Sequence, residues 1–348
     1  MEKGKQQKQD SIEGTQRSKD AVLVTLADRN FINQAKQLFS SVYWNAGWKG
    51  DYMLLAHEIP EKDLKWFRDK GILVKKCEPL YGQKLPSGHS PIILDKFYLF
   101  TPEFKKWKNI VYLDADIIVR ASLDRLAKVK GFWAVAEGEK RKSGKSVMQI
   151  INWIILDKNV GFNLEEIPFG TEVFAFSADL IDSNVFPRME YLFSNYKEAP
   201  EFGDQLVFNL VFYGKWENPG FGYNLNVPSL VSHSYIKPDK MKGAVLHFSN
   251  HQSKFLPWNK NNPFYLEWKN NLEKSGLINL GNIPEREKWR KSDSFRCYLS
   301  FFIYPRFRRR ASRIAGGISG FMLMLIGLAG RLIKKINPSL YHKLKNIK

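Results

Sequence analysis

The order of apolar and polar positions divides the chain into short buried runs separated by charged or amphipathic stretches. AVLVTL (21–26) is an unbroken apolar run ended by the polar turn Ala27-Asp28-Arg29-Asn30, the pattern of a strand buried on both faces. The next apolar residues are Phe31, Ile32, Ala35, Leu38, Phe39 and Val42, which share one face of a helix. DYMLLAH (51–57) predicts a second strand. The charged stretch 61–70 predicts a helix with Pro60 at its start, and ILVKK (72–76) a third strand. Residues 92–107 predict a helix over their first half, restarted at Pro102. NIVYL (109–113) and GFWAVAE (131–137) predict the fourth and fifth strands. Strands alternating with helices predict an α/β fold, with a single doubly wound, mostly parallel sheet covered by helices on both faces. Ligands of such sheets bind beyond the carboxyl ends of the strands, so the residues that follow each strand are where chemistry is expected.

After 137 the pattern changes. GEKRKSGKSV (138–147) is a polar, basic loop, followed by the apolar runs INWIIL (151–156) and EVFAFS (172–177). A helix is predicted over 204–212, a strand at AVLHFS (244–249) and a helix over 264–274. GEKRKSGKS imitates a phosphate-binding loop, but the position that needs the first glycine holds Glu139, so it reads as a basic loop only.

Charge alters the picture. The 348 residues carry 54 Lys and Arg against 35 Asp and Glu, a net +19. Residues 1–20 contribute +1 and residues 290–348 contribute +13, which leaves +5 on everything between. A nucleic-acid-binding protein spreads basic residues over a folded face, so no nucleic acid is expected as a partner. The first twenty residues have no apolar run and read as a disordered leader, neither a signal peptide nor an anchor. The tail mixes aromatics with arginines in FFIYPRFRRRASR (301–313), and then runs uncharged through IAGGISGFMLMLIGLAG (314–330). As a helix those seventeen residues reach about 25 Å, short of the ~30 Å hydrocarbon core, and five are glycine. They suit a helix lying at an anionic membrane surface. The expected division is therefore a leader (1–20), one domain (21–285) and a membrane-associating tail (286–348). Only two cysteines, Cys77 and Cys297, are present, which suits a reducing compartment. Together these predict a cytoplasmic protein, peripheral at the inner face of a membrane.

The sharpest chemical feature is NIVYLDADIIV (109–119). A buried strand ends in Asp114-Ala115-Asp116, and carboxylates on alternate residues of an extended chain point the same way. Two charges beside an apolar strand are costly unless they bind a cation, and hard oxygen ligands suit Mn2+ or Mg2+. His247, at the end of AVLHFS, is the natural third ligand. His57, also at a strand end, is its competitor. Asp204-Gln205 opens a helix, where an Asp serves either as a cap or as a polar group aimed at a substrate.

In order across some 250 residues, the segments VTLADRNF, LDKFYLFTPEFKKWKNIVYLDADIIV, FGTEVFAF, GDQLVFNLVFYGKW, YNLNVP and VLHFSNHQSKFLPW resemble the family 8 glycosyltransferases. That group includes glycogenin and bacterial lipopolysaccharide galactosyl- and glucosyltransferases. The resemblance implies a GT-A fold, a UDP-sugar donor, Mn2+, transfer with retention of configuration, and a glycan or lipid-linked acceptor. It implies Asp114, Asp116 and His247 as metal ligands. Lys96 and Lys254 would face the donor phosphates or sugar, and Thr25, Leu26, Asp28 and Ala115 would lie by the nucleotide. Asp204 and Gln205 would sit at the reacting sugar. The chain departs from the family pattern at Gly170 and Glu172, where an Asn and a small residue are usual, and around Lys254. A sugar-1-phosphate nucleotidyltransferase shares the sheet and the acidic site, but needs a glycine-rich loop after the first strand. Ala27-Asp28-Arg29-Asn30 contains no glycine.

Overall fold

The structure, a computed structural model, describes residues 19–85, 90–136, 167–196, 203–233, 241–248 and 255–303. The first five elements alternate as the hydrophobic pattern predicts: β1 (Ala21–Ala27), α1 (Ile32–Ser41), β2 (Asp51–His57), α2 (Glu61–Asp69) and β3 (Leu73–Cys77). Pro60 is the extended N-cap of α2 rather than its first helical residue. Residues Pro91–Phe100 and Pro102–Lys106 coil as 3-10 helices rather than an α-helix. β4 (Asn109–Leu113), β5 (Ile117–Val119) and β6 (Phe132–Ala136) follow, then β7 (Phe169–Ser177), α3 (Val185–Tyr196) and α4 (Gly203–Val211). The chain continues through β8 (Trp216–Glu217), β9 (Leu225–Asn226), α5 (Val227–His233), β10 (Val245–His247), α6 (Tyr265–Lys274) and α7 (Lys291–Tyr298).

Seven strands form the main sheet in the order β3-β2-β1-β4-β7-β6-β8. β1, β2, β3 and β4 are mutually parallel, and β7 runs antiparallel to both β4 and β6. β1 and β2 lie inside the sheet, and only Asp51, at the start of β2, is more than marginally exposed. This is why they read as unbroken apolar runs. α1 and α2 cover one face through Leu38, Phe39, Leu64 and Phe67; the 3-10 segments, α3 and α4 cover the other through Phe97, Phe100, Met189 and Phe208.

The apolar residues after Asp116 do not extend the main sheet. β5 pairs antiparallel with β10, which pairs parallel with β9, in a separate three-stranded sheet. Its outer face is closed by α6, by α7 and by the turn that follows α7, through Ile118, Leu225, Leu246, Trp268, Cys297 and Phe301.

The expected boundaries at 20 and 285 both fall inside the packed body. Asp20 O accepts from the amides of Lys108 and Asn109. At the other end Tyr43 OH donates to Asn282 O at 2.5 Å and Arg286 Nε to Trp44 O at 2.5 Å. Gly47 ends the helical run after α1 with φ +60°, and a Cβ there would lie 2.5 Å from Pro284 O. With Cys297 fully buried and Phe301 nearly so, packing removes these residues from the tail and continues to at least Phe301. The basic loop 138–147, the run 151–156, the leader 1–18 and the tail from 304 lie outside the described residues. Among the described residues no helix is long and apolar enough to cross a membrane.

Candidate active site

The ladder between β1 and β4 stops at Val24 and Tyr112, whereas β1 stays paired with β2 as far as Ala27. A crevice therefore opens where the sheet's connections diverge, between residues 25–28 on one side and 113–116 on the other. β4 ends at Leu113 and β5 starts at Ile117, so Asp114, Ala115 and Asp116 form the turn joining the main sheet to the small one. β5 and β10 pair Ile117 with His247, which carries the histidine to the same place. His247 Nε2 lies 3.4 Å from Asp116 Oδ1, and one potential ligand atom from each of Asp114, Asp116 and His247 falls within 4.8 Å of the others. Two carboxylates and an imidazole are a donor set that a divalent metal accepts, so the residues fit the group the sequence predicts.

Electrostatics tie the cluster together. Burial pushes the Asp114 carboxyl up to about 6 against the opposing pull of Lys96. Burial works against charge on Asp116 too, but His247 outweighs it and holds that carboxyl below the usual range. His247 is raised to about 9, since the attraction of Asp116 exceeds the cost of burying the imidazolium.

Lys96 lies beneath, its side chain 4% exposed, in the 3-10 segment. Its Nζ is 3.2 Å from Asp114 Oδ1, 3.0 Å from Asp204 Oδ2 and 3.1 Å from Thr171 O. It also stands 5.0 Å from the centre of the Tyr112 ring. Burial disfavours the ammonium, but Asp114 and Asp204 together raise its pKa. Asp204 opens α4, yet its partners lie across the site: besides Lys96, Thr171 Oγ1 donates to Asp204 Oδ2 at 2.8 Å. It is thus a buried bridging group rather than a simple cap. Gln205 Nε2 donates to Phe169 O at 3.0 Å, and Asn209 brackets the same residue, accepting from Phe169 N through Oδ1 and donating to Phe169 O through Nδ2.

The β1 residues are placed beside the crevice but differ in what their side chains do. Thr25 is fully buried, and its hydroxyl has no partner among the described residues. Leu26 is nearly buried. Asp28 accepts from the amides of Asn30 (2.8 Å) and Phe31 (3.2 Å), which fixes the turn into α1. Lys254 lies outside the described residues. His57 is not brought to the cluster: its Nδ1 pairs with Asp95 Oδ2 at 2.7 Å.

Sequence reasoning did not single out Tyr112, whose hydroxyl donates to Asp114 Oδ1 at 2.6 Å. The signal was available, because residues two apart on a strand share a face. Both Tyr112 and Lys96 act on Oδ1, which leaves Oδ2 of Asp114 for a ligand. Thr171 and Asn224 were missed as well. Neither carried a signal, since their placement depends on the local path of β7 and on the segment before β9.

A mixed sheet with an Asp-x-Asp turn at the end of β4, facing a histidine from a second small sheet, defines a glycosyltransferase of the GT-A type. Comparison with known proteins agrees. The model for glycosyl transferase family 8 matches residues 22–262, and the chain belongs to that family. Glycosyltransferase GlyB of Streptococcus pneumoniae is 23% identical over 210 residues, covering 55% of this chain and 45% of GlyB. The chain thus matches about half the length of that curated relative. Among solved structures, galactosyltransferase LgtC in complex with donor and acceptor sugar analogs superposes with a TM-score of 0.54 at 16% identity, covering 76% of this chain and 98% of LgtC. GlyE of Streptococcus pneumoniae gives 0.52 at 19% identity, covering 76% of this chain and 62% of GlyE.

Proposed function

We propose that this glycosyltransferase moves a hexose from a UDP-sugar to a glycan or lipid-linked acceptor, with retention, using Mn2+ or in its place Mg2+. The observation that carries the proposal is the convergence of Asp114, Asp116 and His247 at the mouth of the crevice, with Lys96 joining Asp114 to Asp204 behind them. Asp114, Asp116 and His247 would hold the divalent cation, whose charge, once bound, would offset that on the departing diphosphate. The chain's own residues prepare for it. Tyr112 and Lys96 fix Asp114 through one oxygen, and Asp116 orients the imidazole of His247. Asp204, held by Lys96 and Thr171, is the carboxylate that faces the positive charge developing on the sugar. Gln205 braces the start of β7 beside it. On this reading Thr25, Leu26, Asp28 and Ala115 lie by the nucleotide, and Lys96 and Lys254 are the lysines for the donor phosphates or sugar.

The basic, aromatic tail supplies an address. With residues 304–348 carrying eleven Lys and Arg and no acid, the enzyme works at an anionic membrane surface on its cytoplasmic side. The chemistry is tested by a hydrolysis screen over UDP-sugars with Mn2+ or with chelator. The wild type is expected to release UDP from one donor only with metal, and Asp116→Asn to lose nearly all turnover at an unchanged melting temperature. Equal turnover in chelator, or in the variant, would sink the metal reading.

A further inference from the structure

β7 does not run straight past the site. Its ladder with β4 is continuous from Ser177 to Val173, but on its other edge the pairing with β6 jumps from Ala134↔Phe174 to Ala136↔Phe169. The surplus residues form a bulge, a device that re-aims side chains beside sites. Thr171 sends its carbonyl to Lys96 and its hydroxyl to Asp204, and Glu172 O takes the amide of Asp114 at 2.9 Å. The Glu172 side chain folds back along the bulge. A Cβ built on Gly170 would lie 2.2 Å from Glu172 Oε2, so the carboxylate occupies space that only glycine leaves.

Asn224, just before β9, donates through Nδ2 to Glu172 Oε2 at 3.1 Å. A carboxylate has no hydrogen to give, so the amide nitrogen must face it. That leaves Asn224 Oδ1 as an acceptor, and it is buried with no partner among the described residues. Glu172 itself is half-buried and close enough to Lys96 and His247 to add to the negative field on both. It is outside the metal cluster, and nothing in the chemistry above uses it. A carboxylate beside a cation site welcomes groups that donate hydrogens and repels a second anion.

We propose that Glu172, positioned by Gly170 and Asn224, is the specificity-determining residue for the donor sugar: it accepts hydroxyl hydrogens of a neutral hexosyl ring and bars uronate donors. The assignment rests on the UDP-sugar reading above. The test measures Kd values by competition on the full chain with Mn2+, using UDP, UDP-glucose, UDP-galactose, UDP-glucuronate and UDP-galacturonate. The wild type is expected to favour the better neutral donor over its uronate counterpart by about tenfold or more. Glu172→Gln should collapse that ratio about tenfold, mainly by tighter uronate binding, and leave UDP alone unchanged. Gly170→Ala keeps the charge but displaces the carboxylate, and should weaken the neutral donor without affecting UDP. If UDP binds all three proteins alike and the ratio does not move in Glu172→Gln, the assignment to Glu172 is overturned and the transferase reading stands. If neither UDP nor any UDP-sugar binds the wild type, the donor reading fails and takes this proposal with it.

Discussion

Lys96 is the group whose removal says most about how the site is held together. Its ammonium is nearly sealed from water and stands 3.2 Å from Asp114 and 3.0 Å from Asp204. Lys96→Met keeps most of the side-chain volume and deletes the charge, which leaves two partly desolvated carboxylates facing each other. Breaking a buried ion pair from one side typically costs about 3–5 kcal/mol. In a domain of this size that is a fall in Tm on the order of 10 °C. Thermal unfolding followed by circular dichroism, in chelator at pH 7.5, measures it. The double variant Lys96→Met/Asp204→Asn removes one of the two stranded charges and is expected to recover about half of the loss. The deficit should also shrink at pH 5, where the Asp114 carboxyl, already pushed up to about 6 by burial and now without its lysine, takes up a proton. If the single and double variants melt together, the loss comes from packing of the lysine stem, and the electrostatic account of the site is wrong.

Four further outcomes follow from the same structure. Tyr112→Phe removes the 2.6 Å hydrogen bond to Asp114 and should weaken Mn2+ binding by about 10–100-fold with little change in Tm; unchanged affinity by calorimetry would remove Tyr112 from the site. Truncation after residue 285 strips Cys297 and Phe301 from the apolar face of the small sheet and should give insoluble or molten protein, whereas a chain ending at Ile303 should fold and melt like the full length. The chain ending at Ile303 should also lose binding to anionic vesicles in a sedimentation assay, and undiminished binding would refute the tail as a membrane address. Burial pushes the Asp95 carboxyl up to about 6 despite the nearby His57, so the folded state binds a proton more tightly than the unfolded chain. Its contribution to stability is therefore present below about pH 4 and lost as pH rises through about 6; Asp95→Asn should flatten that part of the stability profile, and an unaltered slope would contradict it.

What the sequence revealed depended on how completely each element is buried. β1, β2 and β4 were legible because both faces of each are covered, so nearly every side chain is apolar. β3 was found one residue off, because it is an edge strand in which only Cys77 is buried and its pattern is weak. The coil at Pro91–Phe100 looked helical because its apolar residues are nearly continuous, and such a run does not distinguish a 3.6-residue period from a tighter one. β5 was invisible as a member of a second sheet, since three buried residues carry no information about their partner. In the site, Asp114, Asp116 and His247 were legible because each ends or follows an apolar run where a charge is costly. Thr171 and Asn224 gained their contacts from the register shift in β7 and from the segment before β9, neither of which leaves a periodic trace, whereas Glu172 stood out only as a departure from the family pattern. The boundaries at 20 and 285 were drawn from composition, and composition does not register that Asp20, Tyr43 and Arg286 are joined by hydrogen bonds to distant backbone.

The pairing of β5 with β10 sets the order in which a growing chain can become an enzyme. The parallel set β3-β2-β1-β4 is complete once Leu113 has been made, and it can begin to condense as an amino-terminal unit. Asp114 and Asp116 then exist, but their histidine is 131 positions further on in the case of Asp116, and Lys96 lacks Asp204 until α4 has been made. A partly synthesised or clipped chain therefore has a sheet and no site. The cluster that the proposed metal site requires is assembled only when β10 pairs with β5, long after the parallel strands have been made.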